Sequence, residues 1–91
     1  MISKQNAQEL VSKEIGNDAE IIENATIEKS WGWVFFYNSK KFLKSEKIQD
    51  MLLGNAPYIV NKKTGEIQVT GTAWPIEKYI EDYETQLLGG V

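Results

Sequence analysis

The chemistry open to this chain rests on its carboxylates, because its 91 residues hold 13 Asp or Glu but no His and no Cys. Those zeros remove the Ser-His-Asp triad, the Cys nucleophile, the disulfide and the ordinary zinc site. A carboxylate can still serve as a general acid or base when burial lifts its pKa toward neutrality. No acid falls within a plainly apolar stretch, however, and Glu23 and Glu28 flank the first expected strand. Glu81, Asp82 and Glu84 share one expected helix, but Glu81 and Asp82 do not face each other, and no Asp/Asn alternation marks a calcium loop. Gly71-Thr72-Ala73-Trp74-Pro75 precedes that helix without the glycine pattern or the following Lys of a phosphate loop. The expectation is therefore a non-enzyme with no catalytic residue, no metal and no cofactor.

Aromatic side chains are the stronger signal. Three Trp and four Tyr are present, and Trp31, Trp33, Phe35 and Tyr37 alternate along one run. Strand geometry puts such a row on one face. It could stack nucleic-acid bases, or it could be a core face packed under helices. A net charge of −3 and the absence of Arg favour the core and leave nucleic acid an unexpected partner. Trp74 sits beside Pro75 in a loop, where packing and binding are both open.

The net charge hides blocks. Residues 1–28 hold two Lys against six acids, a balance of −4. Residues 29–63 hold seven Lys against two acids, +5, and residues 64–91 hold one Lys against five, −4. A basic middle between acidic ends suits a two-signed interaction surface or a plainly solvated one. The apolar run Trp33–Tyr37 is far shorter than the ~20 residues that span a bilayer. The first residues lack the apolar core of a signal peptide, so the expected place is the cytoplasm, without a membrane partner.

The elements that would position these groups follow from periodicity. Ser3 caps a helix over 4–15 with Ala7, Leu10, Val11 and Ile15 on one stripe, and Gly16-Asn17 stops it. Residues 20–28 read as one strand, bulged or bent near Asn24, and 31–38 as a central strand with large apolar groups on both faces. Ser39-Lys40-Lys41 reads as a turn and Phe42-Leu43 as extended, and Ser45 could cap a helical turn through Ile48, Met51 and Leu52. Gly54-Asn55-Ala56-Pro57 is a tight bend. Residues 58–61 and 66–71 form a hairpin around Lys62-Lys63-Thr64-Gly65, with Ile67 and Val69 on one face. A second helix starts at Pro75, carries Ile76, Tyr79, Ile80, Tyr83 and Leu87 on its apolar stripe, and ends at Gly89-Gly90. The fold class is α+β: one domain over 1–91, a four-stranded antiparallel sheet flanked by an N-terminal and a C-terminal helix in the order α-β-β-β-β-α.

Several of these runs, in this order, resemble one family. They are Ile27 to Asn38, Gly54-Asn55-Ala56-Pro57 with Ile59-Val60, Lys63-Thr64-Gly65, Gly71-Thr72-Ala73 and Ile76-Glu77-Lys78-Tyr79-Ile80. From about Leu10 to Glu84 the chain resembles the YrhB-like family, also called the immunity protein 35 family, of bacterial polymorphic toxin systems. The resemblance implies a protein that binds a cognate protein toxin and neutralises it. Occlusion is the expected means, and a monomer or weak homodimer the expected state, since the hairpin Tyr58–Gly71 could supply a free edge. The alternative is a stand-alone, chaperone-like protein that binds partly unfolded chains. It carries over no catalytic residue. Trp31, Trp33, Gly54, Asn55, Pro57, Gly65, Gly71 and Thr72 match the family pattern and suit turns and packing, while Ala56 stands where Gly is frequent. The expected toxin-facing surface is the region near Trp74 together with the 40–58 loop and the acidic helix face, with Trp74, Tyr58, Asn55, Glu77, Glu81 and Asp82 as its protein-binding residues; an acidic face speeds association with a basic toxin surface.

Overall fold

Ser3 opens the first helix, α1 (Lys4–Ile15), in a computed structural model that describes residues 1–89. The Ser3 hydroxyl accepts from the Asn6 N–H at 3.1 Å, and the Asn6 side chain accepts from the Ser3 N–H at 3.4 Å. This capping box is closed by Asn where Glu or Gln is usual. Gly16, at φ +81°, ends the helix as its sequence predicts. Ala7 and Val11 are the fully buried positions of the stripe.

The expected strand over 20–28 divides into β1 (Ala19–Ile21) and β2 (Ile27–Lys29), with a 3-10 turn at Glu23–Ala25 between them. The strand over 31–38 divides into β3 (Gly32–Phe35) and β4 (Tyr37–Ser39). The pairing register gives the reason. Ile21 faces Tyr37 and Ile27 faces Val34, so five residues on one side span what two residues span on the other. The surplus coils into the 3-10 turn, which is the bend expected near Asn24. The single sheet is thereby corrected to two, a two-stranded β1-β4 sheet and a four-stranded sheet. The latter has the order β2-β3-β5-β6, with β5 (Tyr58–Asn61) and β6 (Ile67–Val69) forming the expected hairpin. Every pairing is antiparallel.

Alternation along β3 and β5 splits the core between two faces. Trp33, Phe35 and Val60 pack with Ala7 and Val11 of α1. Val34 and Ile59 pack with Ile80 and Tyr83 of α3 (Ile76–Gly89) on the other side. The helices thus cover opposite faces, and the aromatic row is not shared beneath both. Trp31 leaves the row altogether. It lies in the two-residue turn between β2 and β3, and its ring joins the α3 side. Gly32 permits this switch: its φ of +154° is open to glycine, and a Cβ there would meet the Val60 carbonyl oxygen at 1.9 Å.

The 39–56 stretch departs most from expectation. Ser39 caps a six-residue helix, α2 (Lys40–Ser45), by accepting from the Phe42 N–H at 3.0 Å, so Phe42-Leu43 is helical and not extended. The Ser45 hydroxyl accepts from the Lys47 N–H at 3.1 Å, and the 3-10 turn at Ile48–Asp50 that follows has no side-chain cap. In the hairpin, Ile67 packs on the α1 side but Val69, of the same parity, is exposed. Gly90, half of the expected helix stop, lies outside the described residues. Among the described residues, no helix is long and apolar enough to cross a membrane.

Candidate functional site

Two separate elements carry the six residues singled out from the sequence. Trp74, Glu77, Glu81 and Asp82 lie at and along the start of α3, and Asn55 and Tyr58 lie where the 54–57 bend enters β5. The link between the groups is Thr70, whose N–H and hydroxyl both donate to the Pro57 carbonyl at 2.9 and 2.8 Å.

The α3 group is held by Tyr79. Its hydroxyl accepts from the N–H groups of Ala73 and Trp74 at 3.1 and 3.3 Å, which fixes the loop that carries the indole. Gly71 makes room for it, since a Cβ there would stand 2.5 Å from the phenolic oxygen. Trp74 itself remains 62% exposed, so its indole is not committed to packing. Glu77 and Glu81 are exposed and one helical turn apart. Asp82 accepts from Lys78 at 2.9 Å, and that hydrogen bond holds the Lys78 ammonium above its ordinary pKa. Asp82 also borders a groove of about 260 Å³ between α3 and the edge strand β6, lined further by Gln68, Val69 and Gln86.

The second group is more committed to structure. The Asn55 amide donates to the Tyr37 carbonyl at 2.6 Å, tying the bend to β4. The Tyr58 ring lies 5.7 Å from that of Tyr37, and burial, with Tyr58 second, pushes the Tyr37 hydroxyl above its ordinary pKa.

Two carboxylates that the sequence left unassigned serve indoles. Glu84 accepts from Trp31 Nε1 at 2.9 Å, and Glu28 accepts from Trp33 Nε1 at 3.3 Å. Glu28 and Trp33 are cross-strand partners, a relation hidden until register is known. Also unsignalled was the exposure of Ile48 and Leu53, since the stretch around Met51-Leu52-Leu53 has no readable period.

These features define a small layered α+β protein that leaves aromatic, aliphatic and charged side chains free for contact. The chain belongs to the immunity protein 35 family, whose sequence profile matches residues 4–84. It is also 46% identical over 55 residues to the uncharacterized protein YrhB of Escherichia coli (strain K12). That match covers 60% of this chain and 58% of the relative, so it spans less than two thirds of the relative's length. No solved structure matches the chain.

Proposed function

We propose that this chain is an immunity protein that binds a cognate bacterial toxin and neutralises it by covering its working surface. Membership of the immunity protein 35 family over residues 4–84 carries the reading. Neutralisation then needs no chemical step, and the chain acts in the cytoplasm as a monomer or weak homodimer. The contact surface includes Trp74 as an aromatic anchor, Glu77, Glu81 and Asp82 as an acidic face, and Asn55 and Tyr58 at its margin. Exposed acids of one sign steer a basic partner and raise the association rate.

Co-expression with the toxin encoded by the neighbouring gene tests this. Restored growth and co-purification of the two proteins support it, and unchanged toxicity with no co-purification rejects it. Exposed Ile48, Leu53 and Trp74 also suit a chaperone-like protein. That second reading predicts suppression of aggregation of an unrelated client, and no suppression at excess removes it.

A further inference from the structure

Three exposed aliphatic side chains project from one loop: Ile48 at 80%, Leu53 at 76% and Leu52 at 40%. The loop backbone beneath them is pinned. Asn38 of β4, only 8% exposed, accepts from the Leu52 N–H at 2.8 Å and donates to the Leu52 carbonyl at 3.4 Å. The Ser39 hydroxyl donates to the Asp50 carbonyl at 2.6 Å. Asp50 turns inward too, accepting from the Ser45 hydroxyl at 2.6 Å and lying 3.5 Å from the Lys41 ammonium. A buried Asn is costly unless its bonds are made. Here its bonds hold a loop whose own apolar side chains stay in water, which is preorganisation for contact.

The charge around the loop has one prevailing sign. Lys40, Lys41, Lys44 and Lys47 are all exposed, against Glu46 and the inward-turned Asp50. Lys40 and Lys41 also line a groove of about 510 Å³ that reaches Gln49, next to Ile48. Ammonium groups around an aliphatic projection complement an apolar cleft with an acidic rim.

We propose that the Ile48–Leu53 loop is a second docking element, which inserts Ile48 and Leu53 into an acid-rimmed apolar cleft of the protein partner. The inference rests on the immunity reading for the identity of that partner and adds the chemistry of the toxin surface it grips. The partner's contact surface then carries both signs, basic against α3 and acidic against α2.

The test is calorimetric titration of the full chain with a catalytically inactivated form of the neighbouring toxin. Ile48→Asp and Leu53→Asp each lower affinity by about 30-fold or more, the scale of a central interface residue. Lys44→Glu with Lys47→Glu slows association and flattens its salt dependence. The substituted side chains are exposed, so the unfolding temperature stays near that of the parent and separates lost contact from lost fold. Undiminished binding by both aspartate variants, with the parent binding tightly, overturns the proposal and leaves the immunity reading intact. A parent that does not bind rejects that reading and this inference with it. Self-association of the chain that Leu53→Asp abolishes, with toxin affinity unchanged, assigns the loop to a contact between copies and overturns the proposal.

Discussion

Trp31 and Glu84, 53 residues apart, are joined by a 2.9 Å hydrogen bond from the indole Nε1 to the carboxylate Oε2. The bond stitches the β2–β3 turn to α3, and the neighbouring Tyr83 ring lies 4.7 Å from that of Trp31. Tyr83 in turn accepts from the Asn61 amide at 3.0 Å, so β5 is held by the same turn of helix. A charged acceptor makes the bond stronger than a neutral one. Glu84→Ala is expected to cost about 1–2 kcal/mol. Trp31→Phe keeps a ring against Tyr83 but loses the donor. Urea unfolding of both single variants and the double variant measures the coupling, and additive losses would show that the bond contributes nothing of its own.

Gly32→Ala is expected to be far more damaging than its size suggests. The new Cβ would stand 1.9 Å from the Val60 carbonyl oxygen and require a positive φ at a non-glycine residue. The β3–β5 pairing must open or the hairpin must shift, a loss of more than about 3 kcal/mol. Denaturant unfolding reads it. An unchanged midpoint would mean that Trp31 can reach α3 by another backbone route.

Glu46 is a residue to improve. It ends α2 in the left-handed region at φ 59°, where a side chain costs about 1 kcal/mol that glycine avoids. Glu46→Gly should raise stability by a few tenths to about 1 kcal/mol, allowing for the extra freedom glycine gives the unfolded chain. A rise in unfolding temperature checks this, and a fall would count against strain at this cap.

Asn38→Ala removes the clamp under the Ile48–Leu53 loop. It leaves the Leu52 N–H and the Ser39 N–H without their acceptor and should cost about 1–3 kcal/mol. Amide exchange at Leu52 should quicken more than at β5. Equal acceleration at both would indicate general destabilisation instead of release of the loop.

Alkaline pH should weaken the fold in part through Tyr37. Burial, then Tyr58, raises its pKa in the folded state above the ordinary 10.0. The unfolded chain therefore ionises first as pH climbs, so the stability present below about pH 10 declines as pH rises toward the folded value. Tyr37→Phe should flatten this alkaline decline relative to the parent, measured by unfolding across pH 9 to about 11. Identical slopes would show that the phenol is free to ionise in place.

Legibility followed the range of the interactions. Helix α1, its Ser3 cap and its Gly16 stop depend on residues within a few positions of one another, and their pattern was readable. The hairpin from Tyr58 to Val69 was readable for the same reason, with Asn61 accepting from the N–H groups of Lys63 and Thr64 across its turn. Helix α2 was hidden because six residues hold too little periodicity to stand out. The exposed acids and Trp74 could be named as contact candidates. The projection of Ile48 and Leu53 could not, because it depends on a clamp from Asn38, ten or more residues upstream.

The sequence by itself determined the α+β class, the two terminal helices, the hairpin turn at 62–65 and the family, all consequences of local preference and ordered motifs. Tertiary structure alone decided that the helices take opposite faces and that the sheet divides in two. It also sent Trp31 to α3 while Trp33 goes to α1. The physical reason is that strand alternation says only which residues share a side. Which side meets which helix is set by register and by close backbone approach, as at Gly32 and Val60, and these join residues far apart in the chain.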